Sequence, residues 1–167
     1  MAHFRPIHKI FVLDAKLEGL LDESNPRKFC EGYFTNIMEA SEMKPLAPMS
    51  VCPTMDPRAP GFSGIQPLTT SHTSFHYFWE PDVPDPFPNV HLDLYSCSPF
   101  SYEDVIRVAH KHFGLAEWTG NFIDRSLDPA ERMTLLLRGK GDTILEQIAL
   151  SSGKTVASRA PALVRVR

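Results

Sequence analysis

Two clusters of proline, five between residues 44 and 61 and four between 80 and 89, exclude a helix from the middle of this chain. A proline ring lacks the N–H that a helix ladder needs and clashes with the preceding turn. What lies between the clusters must therefore be extended. Thr73 to Trp79 and Val90 to Ser96 are rich in aromatic and β-branched residues, and the Glu80–Asn89 loop stops both runs, so they read as an antiparallel hairpin with an enlarged loop. Residues 44–61 read as an edge strand and loop leading into that hairpin.

Outside this zone helical periodicity returns. His8 to Leu13 is a short apolar run that reads as a first strand, followed by polar loop signals from Glu18 to Asn25. Asn25-Pro26 is a capping side chain followed by proline at the first helical position, and Phe29, Tyr33, Ile37 with Phe34 and Met38 share one face, so a helix is expected over about 26–42. Ser101 to Asp104 has a capping-box shape, and the apolar positions Val105 to Phe113 end at Gly114, which predicts a second helix. Leu115 to Ile123 is expected to be a strand. Pro129–Leu137 and Asp142–Leu150 read as helices on either side of Gly139-Lys140-Gly141. The order of elements, with hairpins between consecutive strands, argues for an α+β two-layer sandwich: a mostly antiparallel sheet with helices on one face.

A chain of 167 residues fits one fold unit. The reading divides it into a main domain at 1–125 and a C-terminal extension at 126–167 packed on it. The net charge of −3 comes without a dense basic patch, which argues against nucleic acid as a partner. No secretory leader pattern and no apolar run of about 18 residues is visible, so no membrane partner is expected. Cys30, Cys52 and Cys97 are odd in number and form no C-x-x-C pair, which supports neither a disulfide framework nor a structural zinc site. A reduced, cytoplasmic protein is expected, with Cys30 and Cys52 as structural cysteines on the helix and the following loop.

The chemistry concentrates in residues 61–80, GFSGIQPLTTSHTSFHYFWE. Ser63 and Ser71 stand eight apart, His72 and His76 follow the second serine, and Cys97 closes the next apolar strand. A serine held in a strained turn can attack its own preceding carbonyl, convert the Thr70–Ser71 amide to an ester, and after β-elimination leave a pyruvoyl group on Ser71. Gly61-Phe62-Ser63-Gly64, Ser71-His72, His76, Glu80 and Asp93-Leu94-Tyr95-Ser96-Cys97 together resemble the bacterial and archaeal-type S-adenosylmethionine decarboxylase proenzymes. The resemblance runs over about residues 8–123 in element order, and its specific part is 61–97.

The resemblance implies a pyruvoyl-dependent decarboxylase of polyamine biosynthesis, made as a zymogen, self-cleaved at Thr70-Ser71 and working as a homodimer of two-subunit protomers on a small amino-acid-type substrate. The Ser71-derived carbonyl would capture the substrate amine as a Schiff base and draw off electrons as CO2 leaves. Ser63 and His76 take processing roles, with His76 in side-chain reach of Ser71, and Cys97 is the catalytic acid. Glu80 and Phe78 are candidates for substrate binding. His72 would point away from Ser71 on the strand, so packing is as good a reading for it. The chain departs from the family at Thr70, where an acidic residue is usual, at Pro57, where an aromatic stacks on adenine, and at Phe78, where tryptophan is usual. An ornithine or arginine decarboxylase of the same type is therefore the alternative, as is an unprocessed, non-catalytic binding partner. A metal site of His72, His76 and His91 is disfavoured, because strand residues four apart lie about 13 Å from each other.

Overall fold

The computed structural model describes residues 7–83, 87–126, 128 and 132–151. In chain order the elements are β1 (Lys9–Leu17), α1 (Pro26–Ala40), β2 (Ser50–Pro53), β3 (Gly61–Leu68), β4 (Ser71–Phe78), β5 (Asn89–Ser96), α2 (Tyr102–Phe113), β6 (Leu115–Asp124), β7 (Met133–Lys140) and β8 (Thr143–Ser151). Among the described residues the strands form one eight-stranded sheet in the order β2-β3-β4-β5-β1-β6-β7-β8. All seven pairings are antiparallel. Both helices pack on one face, which is the α+β two-layer arrangement expected from the sequence.

Strand alternation divides the residues between the faces. On β4, Thr73, Phe75 and Tyr77 are buried under the helices, while Ser74, His76 and Phe78 lie on the other face. Phe75 is the hub of the core, its ring within 6.1 Å of those of Phe29, Tyr33, Phe34, Phe62 and Phe113. The helix termini follow local chemistry. Asn25 Oδ1 accepts from the Lys28 N–H, Ser101 Oγ accepts from the Asp104 N–H, and Gly114 ends α2 in a left-handed conformation at φ 65°.

Two expectations fail. Residues 133–151 form no helix; β7 and β8 are a hairpin joined by Gly141-Asp142, with Lys140 paired to Thr143. Leu135 and Leu137 face the core while Thr134 and Leu136 face away, a period of two that leucine-rich composition disguised. Trp118 on β6 fixes the hairpin: its Nε1 donates to the Gly141 carbonyl at 2.9 Å, and a Cβ at residue 139 would stand 2.1 Å from its ring. Pro129–Glu131, where the first of those helices was to begin, and 152–167 of the C-terminal extension lie outside the described residues. Cys52 is also displaced. It is exposed on the edge strand β2, neither on a loop nor buried.

Candidate active site

The polar residues singled out from the sequence lie at two separate ends of β4, with Ser71 at its start and His76 and Phe78 toward its end on the sheet face opposite the helices. At its start, Ser71 has φ 150°, a backbone conformation that a residue with a Cβ rarely adopts, worth roughly 1–3 kcal/mol of local strain. The neighbouring strand holds it there. Ser71 pairs with Ser96, and the next residue, Cys97, donates its N–H to the Thr70 carbonyl oxygen at 2.9 Å. That carbonyl belongs to the Thr70–Ser71 amide, so a backbone donor sits where negative charge would develop if Ser71 Oγ attacked it. The same twist undoes the alternation expected for His72: Ser71 Oγ and His72 Nδ1 are 3.2 Å apart. His72 Nε2 lies 3.6 Å from Asp93 Oδ1, whose other oxygen accepts from Ser74 Oγ at 2.5 Å.

At the far end of β4, Ser63 and His76 are register partners on adjacent strands, joined by a 2.7 Å hydrogen bond between Oγ and Nδ1. His76 is in turn opposite His91, and His91 opposite Asp14, whose carboxylate accepts from its Nδ1 at 2.5 Å. The Phe78 ring stacks on that of His91, centroids 5.5 Å apart and planes within 8°. Phe78 and Glu80 line a surface depression of about 440 Å³ together with Asp56, Arg58, Ala59, Asp82 and Val83. Arg58 there is bidentate on Asp56, which holds the Asp56 carboxyl below its ordinary range.

The two ends do not meet within one chain. Five residue steps along β4 separate Ser71 from His76, about 16 Å at ~3.3 Å per step, and Phe78 is farther still. The expectation that His76 reaches Ser71 is therefore corrected: in the same chain the extended backbone of β4 keeps them apart. Ser71, His72, Asp93 and Cys97 form one half-site. Ser63, His76, Phe78 and Glu80 form the other.

Cys97 is partly exposed at the Ser71 end, whereas Cys30 is sealed under the sheet and burial pushes its thiol up to about 11. That suits packing for Cys30 and solvent-facing chemistry for Cys97. His72, His76 and His91 do not converge, and among the described residues no three His, Cys, Asp or Glu side chains are grouped to hold a metal ion. Sequence reasoning missed Asp93 and the Cys97 N–H. Asp93 opens the D-x-x-x-C run, but its place beside His72 depends on a hairpin register that a long proline loop conceals.

The fold is thus an α+β two-layer sandwich whose helices cover one face of an antiparallel sheet, with a positive-φ serine at the start of β4. The family model described as S-adenosylmethionine decarboxylase matches residues 18–126, from just after β1 through α1 and the serine hairpin to just past β6. The chain belongs to that family, one of pyruvoyl-dependent decarboxylases of polyamine biosynthesis. No curated protein matches it. Among the described residues no helix is long and apolar enough to cross a membrane.

Proposed function

We propose that this protein cleaves itself between Thr70 and Ser71 and, as a cytoplasmic homodimer, decarboxylates S-adenosylmethionine. The observation that carries the reading is the Thr70–Ser71 junction: positive φ at the serine, and the Cys97 N–H on the carbonyl that must become tetrahedral. The pyruvoyl group formed from Ser71 would supply the electron sink for loss of CO2. Cys97, just past the end of β5, would return a proton to the carbon that CO2 leaves.

The separation of the half-sites supports a homodimer. A two-fold axis makes every contact reciprocal, so two chains packed through their helix-free sheet faces can bring Ser63 and His76 of each beside Ser71 of the other. That face carries exposed Ile65, Leu136, Ile148 and Leu150, apolar area suited to a partner. In this arrangement His76 moves a proton at Ser71 Cα in the elimination step, with Ser63 holding its ring. The described part of 126–167 would act with 1–125, since β7 and β8 extend the same sheet.

Two features divide the substrate choice. Phe78 flat on His91 offers an aromatic plane for a purine, and this favours S-adenosylmethionine. Asp56, Glu80 and Asp82 around the same depression could instead pair the distal cation of ornithine or arginine. Measuring CO2 released by the cleaved protein from each compound decides between them. Release from ornithine or arginine alone reverses the choice, and release from none together with an uncut chain leaves the non-catalytic reading.

A further inference from the structure

We propose that His72, oriented by Asp93, is the general base for the first step of self-cleavage, acting within its own chain. This rests on the self-cleaving reading above and assigns a catalytic residue to it.

The tautomer follows from the surroundings. Asp93 Oδ1 is shut off from solvent and has no hydrogen-bond partner among the described residues, a costly state for a carboxylate oxygen that an N–H can relieve. The group that reaches toward it is His72 Nε2, at 3.6 Å. A hydrogen on Nε2 leaves Nδ1 as the acceptor, and Nδ1 is the atom 3.2 Å from Ser71 Oγ. Ser71, His72 and Asp93 thus form a relay in which the carboxylate fixes the ring and the ring takes the hydroxyl proton. Asp93 is itself held by Ser74 Oγ, and the His72 ring lies 5.8 Å from that of Tyr95. Asp93 is a positioning residue, because it touches the base and not the reacting atoms.

The step balances within the chain. The proton of Ser71 Oγ passes to His72 Nδ1 as Oγ bonds to the Thr70 carbonyl carbon. The charge gathers on the Thr70 oxygen, which accepts from the Cys97 N–H. The C–N bond to Ser71 then breaks, the leaving nitrogen takes the proton back from Nδ1, and an ester with a free Ser71 amine remains. No outside reactant is consumed. His76, about 16 Å from Ser71 along the strand, cannot serve this step in its own chain.

The test compares wild type, His72→Ala, His76→Ala and Asp93→Asn by intact mass over time, with and without hydroxylamine, which splits esters and spares ordinary amides. His72→Ala is expected to slow cleavage by roughly 10²–10⁴-fold and to resist hydroxylamine, because no ester forms. His76→Ala is expected to be split by it. The His72 side chain is 44% exposed, so imidazole can enter the space it leaves, and added imidazole should restore cleavage in His72→Ala. Rescue also shows that the variant is folded. Asp93→Asn should slow cleavage at least 10-fold and move the midpoint of its pH profile. Wild-type cleavage with His72→Ala cutting at the same rate, or His72→Ala yielding to hydroxylamine, overturns this assignment and leaves the proposed function standing. So does a normal rate and pH profile in Asp93→Asn. A wild-type chain that stays whole overturns both.

Discussion

Replacing Ser71 by alanine and by glycine isolates the strain at the scissile bond, because neither variant has the nucleophile and both must remain single chains. Glycine inside a strand ordinarily costs about 0.5–1 kcal/mol relative to alanine, from its greater freedom in the unfolded state. At φ 150° the order should reverse, since the alanine retains the roughly 1–3 kcal/mol of strain that comes with a Cβ in this conformation. The difference leaves the glycine variant more stable by about 1 kcal/mol. In a chain of this size that raises the midpoint of thermal unfolding by roughly 2–4 °C. Scanning both variants by calorimetry, with urea unfolding as a second measure, reads the effect directly. A glycine variant equal to or less stable than the alanine variant would refute the claim that the fold stores strain at Ser71.

Three further outcomes are expected. Co-expressing a Ser71→Ala chain with a His76→Ala chain should give cleavage of the His76→Ala chain, which alone stays uncut; failure of the mixed sample to cleave, seen by mass, contradicts a site completed by the partner. Cys97→Ala should still self-cleave, since its backbone N–H is retained, while CO2 release falls by roughly 10²-fold or more; unchanged turnover removes the thiol from the reaction. His112 is packed between the helices, its Nε2 accepting from Asn36 Nδ2 at 2.7 Å, and burial and then Lys111 lower its pKa from 6.5. Its folded value lies below its unfolded one, so below about pH 6.5 the unfolded chain binds the proton more readily and stability is lost as pH falls. Urea titrations of wild type and His112→Gln between pH 7 and 5 should show a steeper loss in wild type, and parallel curves would contradict the assignment.

The hairpin and the two helices were legible because their signals are local: Asn25-Pro26, the Ser101 cap, Gly114 and the proline clusters each act within a turn of their own position. The β7–β8 hairpin was not legible. Leu135, Leu136 and Leu137 suit a helix as readily as a strand, and what decides is the open edge of β6 and the Trp118 ring lying over Gly139. Apart from Asp93, the residues of both half-sites could be picked from the sequence by their spacing, but their distribution could not. Eight positions from Ser63 to Ser71 look close in a sequence and lie at opposite ends of a strand pair once Ser63 is opposite His76. His72 was hidden by the rule of alternation, which φ 150° at Ser71 breaks.

Every step proposed for this chain begins with its cutting itself at one bond. Intact-mass analysis of the purified protein, followed over prolonged incubation, tests it most directly. Two fragments are expected, one ending at Thr70 and one beginning at residue 71 and blocked to amino-terminal sequencing, with a single uncut chain in Ser71→Ala. A wild-type sample that remains one species of 18.8 kDa contradicts it.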